Sequence, residues 1–257
     1  MRTDNYFQRA SVIVDDFIAS YGNAMPWLTL MECTLQDPRW HGEGSVLTHT
    51  KMVVAEFLKL CDQRKLSQID HDVLLLACIL HDIGKVVTTK DVYIDGVKYL
   101  GSPRHATVGA SYLKYHFPEE YLDIQTQVVA LVSGHHDIRR LISQDSSVFD
   151  FYCLTQYVSG EMFYLLEVCD IRGRISDDKD KFLDDLEQFK LFCQEYECFH
   201  QERDFTGMFF QVLESENQFI ENNAHYSAKG LTYQSIKARY DIANNVVNSP
   251  IVAMTKH

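Results

Sequence analysis

The 257-residue chain lacks the features that would tie it to a bilayer, a secretory route or a nucleic-acid field. No stretch approaches the roughly 18 to 20 apolar residues needed to span a membrane. The longest apolar run, residues 73–80, reads as a buried helix. The opening MRTDNYFQRA has no apolar signal-peptide core, so a cytoplasmic location is expected. Seven cysteines, an odd number with no CxxC pair, give no disulfide framework and read as reduced core thiols. Positive charge is scarce: 24 Lys and Arg face 36 Asp and Glu, a formal net charge of −12. Such a chain has no global attraction for polyanions, so any phosphate it binds must be held locally. Internal repeats and low-complexity tracts are also missing.

What is present is a globular composition, 46% hydrophobic and 23% charged, enough for a sizeable core. Apolar residues recur at three- and four-residue spacing through most of the chain, which predicts an all-α fold. Helices are expected near 5–20, 26–33, 46–63, 70–82, 104–116, 119–134, 148–173 and 178–198, with Pro26, Pro103 and Pro118 near helix starts. Phe182, Leu183, Leu186 and Phe189 fall on one face and read as core. One segment breaks the pattern: in residues 91–100, Asp95-Gly96 lies between β-branched and aromatic residues and predicts a small β-hairpin. Residues 1–205 read as one domain and the more polar 206–257 as a C-terminal helical extension, with a loop at 221–230.

The chemistry lies in histidines and aspartates at the ends of apolar runs. His81-Asp82 closes the run 73–80 and is followed by Ile83-Gly84-Lys85. A carboxylate is disfavoured at a helix C-terminus, so Asp82 needs a positive partner there. Adjacent helical residues point about 100° apart, so a shared ion requires a distorted terminating turn, for which Gly84 can supply a left-handed end. His49 has Met52 and Val53 three and four residues on, which turns its imidazole inward. Asp170 ends the apolar run 162–169, where burial demands an ion or a pairing with Arg172 or Arg174. His105 follows Ser102-Pro103-Arg104, and His135-His136 follows the apolar 128–132. The order H, HD, H, HH, D mixes imidazole and carboxylate, which suits zinc, manganese, iron, cobalt or nickel better than calcium, in numbers sufficient for two ions. Lys85, Arg104, Arg139, Arg140, Arg172 and Arg174 sit beside these ligands in sequence. Lys85 and Arg104 are the expected phosphate contacts, while about half of the arginines are expected to pair with carboxylates.

These residues resemble the HD superfamily of metal phosphohydrolases, whose pattern is His, then His-Asp, then a distant Asp on a helical bundle. QDPRWHGEGSVLTHT (36–50), LHDIGK (80–85) and DIRGR (170–174) are similar to the HD modules of bacterial tRNA CCA-adding enzymes. Thr88-Thr89, the hairpin, SPRHATVGA (102–110) and the segment 189–198 are similar to the HD module of bacterial RNA end-healing proteins fused to a polynucleotide kinase. The likeness spans roughly residues 26–205. Ser45 stands where relatives commonly have an acidic residue, and no G-x-x-x-x-G-K-[ST] run occurs, so kinase activity is not expected.

The resemblance implies that His49, His81, Asp82 and Asp170 hold one divalent ion (Mn, Ni, Co, Zn or Fe, with Mg also allowed). His105 and His136, or His135, with Asp82 bridging, would hold a second. It implies Asp82, Lys85 and Arg104 as catalytic groups, and Lys85, Arg104, Arg139, Arg172, Arg174 and His41 as substrate contacts. Glu43 could support the ligands. The implied reaction removes a 2′-phosphate, 3′-phosphate or 2′,3′-cyclic phosphate from RNA or nucleotide ends, with a separate kinase or ligase as repair partner. Three other readings stay open: a nucleotide or alarmone phosphohydrolase, a diiron oxygenase, and a non-catalytic nucleotide-binding regulator.

Overall fold

Two serines begin the helices at the centre of the molecule. In the computed structural model, which describes residues 3–143, 146 and 148–200, Ser45 accepts from the Thr48 N–H at 3.2 Å and opens α3 (Val46–Gln63). Ser67 accepts from the Asp70 N–H at 3.1 Å and opens α4 (Gln68–Leu80). Each satisfies an amide that a helix start leaves without an internal partner. Seven of the last eight residues of α4, including Leu74, Ile79 and Leu80, are buried, as in a helix enclosed by protein on most sides. The same holds for α10 (Gly160–Gly173), where Phe163, Leu166 and Cys169 are fully buried.

α3 packs against α4, α10 and α1 (Thr3–Tyr21). At Gly173 an added Cβ would lie 2.9 Å from the Val53 backbone nitrogen, so glycine lets the end of α10 rest on the α3 backbone. α6 (His105–His116) and α7 (Gln125–Gly134) pack together, and α7 also contacts α4 and α10. Around this core lie the short α2 (Trp27–Leu30), α5 (Lys85–Thr88), α8 (Asp137–Ser143) and α9 (Val148–Leu154), a 3-10 segment at Glu119–Ile124, and α11 (Lys179–Glu195). The fold is all-α apart from one antiparallel pair, β1 (Lys90–Ile94) with β2 (Val97–Gly101). Its turn residues Asp95 and Gly96 both have positive φ, 51° and 76°, which is what a two-residue hairpin turn needs.

Several expectations change. The helix read across 148–173 is interrupted at 155–159 and restarts at Gly160. Gly160 sits against Cys193 and the Cys198 carbonyl, and an added Cβ would fall 2.9 Å from Cys193 Sγ. The break therefore serves packing against α11, which an uninterrupted apolar pattern conceals. α8, directly after the paired histidines, was not anticipated. Gly84 is not left-handed: its φ of −70° and ψ of −17° are helical, and its small size has another use, described below. Cys33 and Cys153 are exposed, whereas Cys78, Cys169, Cys193 and Cys198 are buried as expected. Leu186 and Phe189 are core, with Phe182 and Leu183 partly buried against it. The C-terminal extension at 206–257 and its loop lie outside the described residues. No described helix is long and apolar enough to cross a membrane.

Candidate metal centre

Three helices from distant parts of the chain deliver the first ligand set. His49 is in the first turn of α3, His81-Asp82 form the tight turn that ends α4, and Asp170 is in the last turn of α10. All four are buried, at 0 to 2% exposure. His49 Nε2 is 2.9 Å from Asp170 Oδ1 and 3.7 Å from Asp82 Oδ2. His81 Nε2 is 3.3 Å from Asp82 Oδ2 and 3.8 Å from Asp170 Oδ1.

The other Asp82 oxygen faces a second set. Oδ1 is 3.2 Å from His105 Nε2 and 4.0 Å from His135 Nε2. His136 Nε2 lies 3.0 Å from His105 Nε2, and the three imidazoles form one cluster. Asp82 thus stands between two groups of ring nitrogens, one for each oxygen. Gly84 makes this possible. An added Cβ there would lie 2.1 Å from the His105 carbonyl oxygen and 2.7 Å from the Gly109 nitrogen, so only glycine brings the α4 exit onto the start of α6.

The hydrogen-bond pattern sets the tautomers. His81 Nδ1 is 3.0 Å from the Cys78 carbonyl, His105 Nδ1 is 2.7 Å from that of Ser102, and His135 Nδ1 is 2.8 Å from that of Val132. A carbonyl can only accept, so each Nδ1 carries a hydrogen and Nε2 is the nitrogen each ring turns to the centre. His81 Nε2 and His135 Nε2 are buried with no hydrogen-bond partner. Burial of a polar atom without a partner is costly unless an ion completes it. Burial, reinforced by His105 and His81, lowers the His135 pKa to about 3. Burial also holds His136 well below its usual value, with His135 and His105 adding to the effect. Both rings are therefore neutral and able to ligate near pH 7. For Asp82, burial favours the acid, but Lys85 and His81 outweigh it and keep the carboxylate ionised. Asp170 is held ionised against burial by Arg174 and His49. Imidazoles around ionised carboxylates fit divalent transition ions.

Residues 46–169 match the family model for the HD domain. The chain carries an HD domain. With this ligand set, it is read as a metal-dependent hydrolase. The match ends one residue short of Asp170, which completes the set on the same helix. No curated protein and no solved structure matches the chain.

Outside the HD match, the segment before α3 supports the ligands. Glu43 Oε1 accepts from His41 Nδ1 at 2.8 Å and lies 2.9 Å from His49 Nδ1, a short contact whose geometry is poor for a hydrogen bond. Its other oxygen accepts from the Ile175 N–H at 2.8 Å, which ties this segment to the chain leaving α10. Burial opposes ionisation of Glu43, yet the contacts with His41 and His49 hold it well below the usual carboxylate range. A carboxylate behind a ligating histidine orients the ring and raises its basicity. Lys85 Nζ, nearly buried, reaches Asp82 Oδ2 at 2.7 Å, Gln36 Oε1 at 2.6 Å and His41 Nε2 at 3.4 Å. His41 is at 8% exposure, and burial lowers its pKa to about 4, so it accepts this contact as a neutral ring.

The HD domain places the cations unevenly. A cavity of about 520 Å³ reaches His105, His136, His41 and Lys85 and is also lined by Arg39, Arg139 and Arg174. Arg174 donates to both Asp170 oxygens, so it is the pairing partner sought for that carboxylate. Arg139 lies over the Phe182 ring at 3.8 Å, and its Nη2 is buried without a partner. Arg140 is exposed and pairs with Asp137 at 3.1 Å. Arg104 and Arg172 do not line the cavity and are exposed. Arg104 takes a left-handed conformation with φ 59° before α6, so proximity to His105 in sequence does not carry its side chain inward. Arg172 is two residues past Asp170 and so falls on another face of α10, whereas Arg174, four past, shares its face.

Sequence reading missed Gln36, Arg39 and Glu167. Glu167 is fully enclosed one turn before Asp170. Burial and the Asp170 charge push its pKa up to about 8, and Oε1 has no partner. Its position three residues before Asp170 on an apolar helix was the available signal.

Proposed function

We propose that the protein is a phosphohydrolase that removes terminal phosphate, as a 2′-phosphate, 3′-phosphate or 2′,3′-cyclic phosphate, from RNA or nucleotide ends. The observation that carries this reading is one buried carboxylate, Asp82, whose two oxygens face two separate groups of imidazole nitrogens beside a cation-lined cavity. Divalent ions held there would supply a nucleophilic water near neutral pH and neutralise charge on the phosphoryl oxygens. The chain's own part is to orient and to hold charge. His49, His81 and Asp170 position one side, His105 with His135 and His136 the other, and Glu43 fixes His49 from behind. Arg139, whose Nη2 is free of protein partners, takes a phosphoryl oxygen at the cavity wall. Lys85 exchanges its bond to Gln36 for the incoming phosphate while it keeps its contact with Asp82. The similarity of 36–50 and 80–85 to the HD modules of tRNA CCA-adding enzymes, and of 102–110 to those of RNA end-healing proteins, supports RNA ends as the substrate. It also supports a separate kinase or ligase as the partner that handles the dephosphorylated end.

Matched RNA oligonucleotides ending in each of the three phosphates, assayed for inorganic phosphate with Mn, Ni, Co or Mg, rank the esters. Preference for one RNA end over a free mononucleotide supports the RNA reading. A preference for mononucleotides or alarmones replaces it with nucleotide turnover, and oxygen uptake by the iron form with no phosphate release would make the centre an oxygenase.

A further inference from the structure

The metal end explains only part of the cavity. Its rim is formed by Trp40, Tyr99 and the hairpin residues Val92, Ile94 and Leu100, far more aromatic and apolar surface than a phosphate uses. Trp40, one residue before His41, is 47% exposed. Beside it in sequence, Arg39 lies over the Tyr99 ring, its guanidinium carbon 3.4 Å from the ring centroid. Two bonds from Asp37 hold that guanidinium, Nε to Oδ1 at 2.7 Å and Nη2 to Oδ2 at 2.6 Å. Asp37 also accepts from the Leu100 N–H at 3.1 Å, and its carbonyl accepts from the amides of Trp40 at 3.1 Å and His41 at 2.9 Å. One carboxylate residue thus fixes the hairpin, the Arg39 plane and the turn that bears Trp40. Because Asp37 neutralises Arg39, this arginine offers a planar face rather than a free charge.

We propose that Trp40, with the Arg39–Tyr99 stack, is a base-stacking platform that makes the pocket select phosphate esters carrying a nucleobase. The proposal rests on the phosphohydrolase reading for its reacting end and adds what the rest of the substrate must be. Three physical points favour it. A chain with net charge −12 cannot gather nucleotides by long-range attraction, whereas stacking is largely independent of charge. The cavity is of the size that holds a small organic ligand rather than phosphate alone. Finally, the Arg39 plane and the turn that bears Trp40 are held in place before binding, so less freedom is lost when a base stacks there.

The test compares a nucleoside 3′-monophosphate with methyl riboside 3-phosphate, the same ester without a base, on the full-length protein. Binding is read by tryptophan quenching in a Trp27→Phe background and turnover by KM and kcat. The expected result is quenching by the nucleotide alone, and a KM about tenfold or more lower for the base-bearing ester. Trp40→Ala should bring the two KM values within about twofold, and Trp40→Phe should restore most of the difference. Equal KM values in the native protein, or a Trp40→Ala effect of equal size on both esters, overturns the platform and leaves phosphate hydrolysis standing. Base-dependent quenching without phosphate release from either ester supports the platform and rejects 3′-phosphate removal as the reaction of this site.

Discussion

Glu43 reaches its partners through both carboxylate oxygens, His41 and His49 on one and the Ile175 amide on the other. Glu43→Gln keeps the shape but removes the charge behind His49. It is expected to weaken divalent-ion affinity by about 10- to 100-fold, as loss of such a supporting contact generally does. Competition with a chromophoric chelator measures this, and an unchanged affinity would remove Glu43 from the centre. The ligands themselves were legible because a histidine or aspartate ending an apolar run must find a partner inside. Gln36 was not, and Glu43 was legible only as a support with no stated partner, because both precede the first ligand helix in irregular chain, where no periodicity says which way a side chain faces. Among the arginines, helical phase separates Arg174 from Arg172, whereas only backbone conformation removes Arg104.

Helix ends do more here than helix bodies. α3 and α4 were readable from periodicity, and the hairpin from Asp95-Gly96. The break between α9 and α10 was not, since apolar residues continue on both sides and only the contact of Gly160 with Cys193 and Cys198 demands it. Gly84 looked like a helix terminator but is a contact point between the α4 exit and α6. Gly84→Ala would drive its Cβ into the backbone of α6, which cannot move aside as a side chain could. The expected cost is about 1–3 kcal/mol in chemical denaturation, the usual range for overpacking. Ion binding at the His105, His135 and His136 side should fall more than at the His49 and His81 side. A variant with native stability and full metal content would contradict the close-approach account.

Across the whole molecule, the buried titratable groups make metal-free protein sensitive to pH in both directions. His41, at about 4, and His135, at about 3, lie below the ordinary value of 6.5, with His136 also lowered. Between those limits the unfolded chain binds protons that the folded one refuses, so stability falls as pH drops below about 6.5. Glu167 acts in the opposite sense. Its pKa rises from 4.5 to about 8, so its contribution is fully present below about 4.5 and is lost as pH rises from there through about 8. His81, raised mainly by Asp82 against its burial, adds to that alkaline loss. Chelator-treated protein should therefore be most stable near pH 6.5, and Glu167→Gln should flatten the alkaline limb and steepen the acid limb between about 4.5 and 6.5. Equal destabilisation of that variant at pH 6 and pH 8 would rule out a proton held on Glu167.

The central claim is that Asp82 joins two groups of nitrogen ligands into one phosphohydrolase centre. Its most direct test is a titration of metal-free protein with Mn, with bound ion and inorganic phosphate released from 3′-phosphorylated RNA measured in the same samples. Activity is expected to rise as the second equivalent binds, and Asp82→Asn is expected to lose at least about 100-fold in rate along with bound metal. Folded, fully loaded native protein that releases no phosphate from this RNA or from its 2′- and cyclic-phosphate counterparts would contradict the claim.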